Sequence, residues 1–153
     1  MVLAEHKNSK SRVAIKIISK ALIKDIYRNP SEPFQEVSLL EDLAQINCEN
    51  ILEFLDMDEN DDYVYLVTKV YAGRCLQSYL NEQTNFFQYE TRAKKVVRDV
   101  AVGLACLHKR NIVHRDIKMG NILMSDSSAA ASAYLADFGL AHKLKSQTDT
   151  VQW

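Results

Sequence analysis

The stretch VHRDIKMGNILM, Val113–Met124, packs an acid, two strong bases, a histidine and an amide between apolar residues. Val113 leads into His114-Arg115-Asp116, Lys118 and Asn121 follow, and Ile122-Leu123-Met124 closes the run. A merely solvated loop needs no apolar flanks. A loop that must hold charges together does, because buried flanks on both sides clamp the polar part between fixed ends. The fold reading turns on what the chain places before and after this knot.

Before it comes YETRAKKVVRDVAVGLACLHKR, the longest periodic element. Val96, Val97, Val100, Ala101, Leu104 and Leu107 recur at helical spacing, which predicts one amphipathic helix with this stripe turned inward. After it comes SDSSAAASA, a small-residue stretch that reads as a hairpin-loop insertion, and then YLADFGLA, a short strand ending in a glycine turn. Further upstream, SRVAIKIIS alternates apolar and polar residues with β-branched character and predicts a strand. NPSEPFQEVSLLEDLAQI carries Phe34, Val37, Leu40, Leu43 and Ala44 at helical spacing after Ser31, a cap candidate. NILEFLDM and YVYLVTKV predict two strands joined through DENDD as an antiparallel hairpin, and LQSYLNE predicts a short helix after Gly73.

The chain has 153 residues, 47% hydrophobic and 25% charged, a composition ordinary for one soluble globular domain. Its formal net charge of −1 gives no basic field for nucleic acid or an anionic membrane. No window approaches the ~18 apolar residues of a membrane span. Cys48, Cys75 and Cys106 are sparse and lack a Cys-x-x-Cys pair, which predicts reduced thiols rather than a disulfide frame or a zinc site. With no apolar leader at the amino terminus, the chain reads as intracellular and cytoplasmic.

Four pieces then fall into one order: Val13-Ala14-Ile15-Lys16 on a strand, Glu36 on the next helix, HRDIKMGN after the long helix, and Asp137-Phe138-Gly139. This set resembles the eukaryotic-type protein kinase family. The resemblance implies an α+β, two-lobe kinase-like fold, incomplete, with about residues 1–70 as most of the small lobe and 71–153 as the start of the large lobe. It implies ATP and Mg²⁺ as cofactors and serine or threonine of a protein as acceptor.

By the same resemblance, Lys16 holds the α- and β-phosphates and Glu36 orients it through an ion pair. Asp116 orients the attacking hydroxyl, Lys118 neutralises the moving phosphoryl group, and Asn121 and Asp137 supply oxygen ligands to the metal. Val2 and Ala14 roof the adenine, Leu123 floors it with Leu76 beneath, and Thr68 gates the back of the pocket. Lys69, Val70 and Tyr71 form the hinge, with Lys69 standing where the family often carries an acid. His114 is expected to pack and hydrogen-bond rather than act as a base, in a stack with Leu40, Phe54 and Phe138. Lys118 in the loop points to Ser/Thr rather than Tyr acceptors. Arg115 suggests pairing with a phosphorylated activation segment, for which Ser146, Thr148 and Thr150 are acceptor candidates.

The four glycines, Gly73, Gly103, Gly120 and Gly139, all lie beyond Lys16, so none forms the family's glycine-rich phosphate loop, and no Ala-Pro-Glu follows SQTDTVQW. The expectation at this level is a chain matching the first half or more of the family's domain. The rival expectation is a catalytically inactive, kinase-derived binding or regulatory module, or an incomplete gene product.

Overall fold

The computed structural model describes residues 1–21, 39, 42–43, 48–81 and 89–144. The chain divides into two compact units, Met1–Asn47 with Glu53–Val70, and Cys48–Leu52 with Tyr71–Trp153.

In the first unit the β-branched run of SRVAIKIIS pairs on both edges. Strands β1 (Val2–Glu5), β2 (Arg12–Ser19), β3 (Phe54–Glu59) and β4 (Tyr63–Lys69) form an antiparallel sheet in the order β1-β2-β4-β3. The β3–β4 hairpin closes where Asn60 Oδ1 accepts the backbone N–H groups of Asp62 (3.0 Å) and Tyr63 (2.8 Å). Such local side-chain bonding is why asparagine favours turns. On β4 the residues Val64, Leu66 and Thr68 are buried while their neighbours are not. Period-2 alternation therefore gives the sheet one covered face. Leu39 and Leu43, both helical, are buried as well. Ser31, Phe34, Glu36, Val37, Leu40 and Ala44 lie outside the described residues.

The second unit is built on α2 (Tyr89–His108), with the shorter α1 (Leu76–Asn81) before it. Asn111, at φ 57°, ends the long helix in the left-handed region that asparagine tolerates, and its N–H donates to the His108 carbonyl. Two short ladders follow the helix. Strand β5 (Ile112–Val113) pairs with β8 (His142–Lys143), and β6 (Ile122–Met124) pairs with β7 (Ala133–Leu135). The segment 48–52 runs parallel beside β7 through an Ile51–Leu135 bridge. Leu107, Ile112, Met124, Leu135 and Phe138 are at most 1% exposed and form the core. Each such side chain contributes about 1.5–3 kcal/mol by leaving water. Among the described residues no helix is long and apolar enough to cross a membrane.

Two expectations are corrected here. The inward line of α2 is Val96, Val100, Gly103 and Leu107, whereas Val97 is 67% exposed and Ala101 is exposed too. At 100° per residue these two positions sit one step round the helix from that line. The cysteines also differ from the expected reduced set: Cys48 and Cys106 form a disulfide, and Cys75 is free. Cysteine spacing carries no trace of this, because residues 48–52 come beside α2 only through packing. A Cβ on Gly103 would stand 2.8 Å from the Asn50 carbonyl oxygen. Glycine there lets the segment approach closely enough for the pair to join.

Candidate active site

The polar knot hangs between two of the short ladders. Ile112 is buried in β5 on one side, and Ile122 and Met124 are buried in β6 on the other. The apolar flanks are thus strand residues that clamp the loop's ends. Inside it, Asp116 Oδ2 accepts Lys118 Nζ at 2.6 Å and Asn121 Nδ2 at 2.8 Å. Asn121 Nδ2 also donates to the Asp116 carbonyl at 3.0 Å. Lys118 first, and Asn121 with it, hold the Asp116 carboxyl below the usual aspartate range. These contacts occupy the amide nitrogen of Asn121, and its carbonyl oxygen is the atom a hard cation would take.

Asp137 is brought next to this loop by backbone pairing. Ile122 faces Leu135 in the β6–β7 register, and the Ala136 N–H donates to the Asn121 carbonyl at 2.9 Å. Asp137 is the next residue. Both Arg115 (φ 66°) and Asp137 (φ 60°) are non-glycine residues in the left-handed region. Such conformations cost roughly 1–3 kcal/mol each and persist where the surroundings hold them. Arg115 Nε donates to the Leu140 carbonyl, tying the loop to the chain beyond Phe138. Ser146, Thr148 and Thr150 lie outside the described residues.

His114 is 2% exposed and joins the two halves. Its Nδ1 accepts the Asp116 N–H at 3.3 Å, so Nε2 carries the proton and donates to the Ala136 carbonyl at 3.0 Å. Burial pushes its pKa down, against the carbonyl of Ala136 and the charges of Asp116 and Asp137, which raise it. Its ring lies 5.0 Å from that of Phe138 at a tilt of 53°. Histidine here is a neutral fastener, as its expected packing role required.

Leu123 sits where the chain after Tyr71 meets β6. Cys75 and Leu123 form an antiparallel bridge, Gly73 N–H donates to the Met124 carbonyl, and Met124 N–H donates to the Arg74 carbonyl. A Cβ on Gly73 would lie 2.2 Å from the Asp126 carbonyl oxygen, so only glycine permits this contact. Leu76 is buried, and the Tyr71 ring lies 4.6 Å from that of Tyr134 at a tilt of 47°.

In the first unit Lys16 lies opposite Leu66, and Ala14 lies opposite both Leu3 and Thr68. Ala14, Lys16 and Thr68 therefore share the covered face, with the Thr68 hydroxyl 3.4 Å from the Ala14 carbonyl. Val2 pairs with Ile15 and so falls on the opposite face from Ala14. The two cannot make one roof, and Leu3 is the β1 residue on the Ala14 side. Lys69 Nζ forms an ion pair with Glu53 at 2.7 Å, which places its charge at the β3 edge. Val70 is the last residue of the first unit, and from Tyr71 the chain belongs to the second.

The protein kinase domain model matches residues 1–152. The chain belongs to the protein kinase domain family. Relatives at similar distance include calcium-dependent protein kinase 4 of Plasmodium berghei, 34% identical over 92% of this chain and 26% of its own length. The serine/threonine-protein kinase ATG1a of Arabidopsis thaliana is 32% identical over 93% of this chain and 22% of its own. The calcium/calmodulin-dependent protein kinase cmkA of Emericella nidulans is 32% identical over 98% and 34%. The chain thus spans about a fifth to a third of the length of these kinases.

Two supports of the kinase loop were not legible as such. Asp99 Oδ2 accepts Lys95 Nζ (2.8 Å) and the Ala133 N–H (2.9 Å), fixing the start of β7. Asn50, at φ 58°, donates its amide to the Ala133 carbonyl at 2.8 Å. The signal for Asp99 was an acid between Val97 and Val100, four residues after a lysine. Asn50 offered none beyond its turn-forming side chain.

Proposed function

We propose that this chain carries the catalytic residues of an ATP-dependent protein serine/threonine kinase. The observation that supports it most is the set formed by Asp116, Lys118 and Asn121, bonded to one another, with Asp137 one residue from a backbone bond to Asn121. Phosphoryl transfer asks for positioned charge more than covalent help. Asp116, held ionised by Lys118 and Asn121, takes up the role of orienting the acceptor hydroxyl and receiving its proton. Lys118 can exchange its bond to Asp116 for the transferring phosphoryl oxygens, where negative charge must be met.

The donor set also fits Mg²⁺. Among the described residues no group of three or more His, Cys, Asp or Glu could hold a metal, so no all-protein cage exists there. One amide oxygen from Asn121 and the Asp137 carboxylate are the small oxygen set Mg²⁺ takes when phosphates complete its shell. When bound, the ion supplies charge neutralisation at the phosphate oxygens. In the first unit, Lys16 is the phosphate-binding cation, with Glu36 as its orienting acid. Ala14, Thr68 and the Lys69-Val70 backbone are that unit's proposed adenine-binding residues; Tyr71 and Leu123 are the second unit's.

The acceptor assignment rests on Lys118 and on the serine/threonine kinases among the relatives. The test is phosphotransfer from labelled ATP to a mixed Ser, Thr and Tyr peptide library, with Asp116→Asn as control. Asp116-dependent label on Ser or Thr is expected. Label confined to Tyr would overturn the acceptor class, and nucleotide binding without any transfer would favour a binding or regulatory module.

A further inference from the structure

Cys48 and Cys106 are joined although 58 residues apart in sequence, with their Cα atoms 6.1 Å apart. Cys106 lies near the end of α2, and Cys48 opens the segment that runs along β7. Arg110, four residues after Cys106, places Nη1 3.0 Å from Cys106 Sγ and donates to the Cys106 carbonyl at 2.9 Å. Both cysteines are partly exposed, so an external thiol can reach them. The segment they anchor is bonded to β7 three times. Leu52 N–H donates to the Leu135 carbonyl (2.8 Å), Leu135 N–H to the Asn50 carbonyl (2.9 Å), and the Asn50 amide to Ala133 (2.8 Å). From Leu135 the chain continues through Ala136 into Asp137.

We propose that Cys48–Cys106 is a reversible dithiol–disulfide modification site whose redox state sets how firmly residues 48–52 are held against β7. The co-reactant is a dithiol. Its thiolate attacks Cys48 Sγ, forming a mixed disulfide there as the protein's S–S bond breaks. Cys106 leaves as the thiolate because the Arg110 guanidinium stabilises the negative sulfur, and a better-stabilised thiolate leaves faster. The second thiol of the reagent then attacks its own mixed sulfur and expels Cys48. The reagent ends as its cyclic disulfide, and the protein gains two electrons and two protons as two thiols. Reoxidation reverses each step: the Cys48 thiolate opens the reagent's cyclic disulfide to re-form the mixed disulfide, and the Cys106 thiolate then attacks Cys48 Sγ and expels the reagent. With the staple open, the Leu52, Asn50 and Leu135 bonds remain but lose the covalent tether that holds their segment in place.

The experiment uses the chain itself and no nucleotide, so its outcome is separate from the proposed reaction. Thiols are counted by alkylation and mass spectrometry before and after dithiothreitol, and again after oxidised dithiothreitol. One alkylated thiol (Cys75), then three, then one is the expected sequence; three thiols throughout would overturn the site. Amide hydrogen exchange at Leu52 and Leu135 should quicken at least about tenfold on reduction, and in Cys48→Ser, while the β2–β4 ladder stays unchanged. No change at Leu52 and Leu135, or equal acceleration in both units, would overturn the local tether. In the reduced chain, Arg110→Gln should raise the pH midpoint of Cys106 alkylation by about one unit and leave Cys75 alone. An unmoved midpoint would remove Arg110 from the account.

Discussion

Asp116 has a structural role in its loop and, under the proposed function, a chemical one as well. Its bonds to Lys118 and Asn121 hold the loop together and also keep it ionised. Asp116→Asn keeps the shape and much of the hydrogen bonding but removes the proposed proton acceptor. In an active kinase chain, kcat should fall by about 10²–10⁴ while the KM for ATP changes little. Steady-state kinetics with a Ser/Thr peptide check this, and equal losses in kcat and ATP affinity would make Asp116 a scaffold residue only. His114 makes a second residue-level prediction. Its folded pKa lies below the ordinary 6.5, so the unfolded chain takes up a proton that the buried ring refuses. Its stabilisation is complete above 6.5 and is lost as pH falls from there through the folded value. Thermal unfolding from pH 7 to pH 5 should therefore show a smaller loss for His114→Asn than for the unsubstituted chain. Equal pH slopes would mean the ring is not held neutral.

At the scale of elements, short ladders do what long strands do elsewhere. Strands of two or three residues cannot be stable alone, and β7 depends on lateral supports from α2 and from residues 48–52. Asp99→Ala would leave the Ala133 N–H without its acceptor. A cost of about 1–3 kcal/mol is expected in chemical unfolding, against a near-neutral change if water replaces the carboxylate. Val97→Glu should shift stability by only about 0.5 kcal/mol, since the side chain faces solvent. A loss of several kcal/mol would restore Val97 to the buried stripe expected from periodicity. The contrast shows what periodicity reads well. The existence of α2, the β3–β4 hairpin and the loop between β6 and β7 all follow from local pattern. Which of two adjacent apolar lines turns inward depends on where Leu135 and Asn50 pack, a non-local matter. The same holds for the disulfide and for Val2, whose face is decided by a one-residue register that alternation alone leaves open.

Across the whole molecule, the motif residues were more legible than their structural supports. Lys118, Asn121 and Asp137 stand in motifs whose spacing is visible in one line of sequence. Their convergence requires the β6–β7 ladder, and that is fixed by Asp99, Asn50 and the glycines at 73 and 103. The cross-link belongs to this scale as well. Closing 58 residues of chain restricts the unfolded ensemble by about 4 kcal/mol on a loop-entropy estimate. Denaturant unfolding with and without reductant should differ by a substantial part of that; identical midpoints would show that the bond adds nothing to stability.

The proposed function makes Lys16 a phosphate-binding residue and Asp137 a metal-binding one, and calorimetric titration of ATP into the chain tests each assignment most directly. The titration is run with Mg²⁺ and with chelator, on the unsubstituted chain and on Asp137→Asn and Lys16→Met. Saturable binding that needs Mg²⁺ and weakens in both variants is the predicted result. Affinity that is indifferent to the metal and unchanged in both would contradict the account.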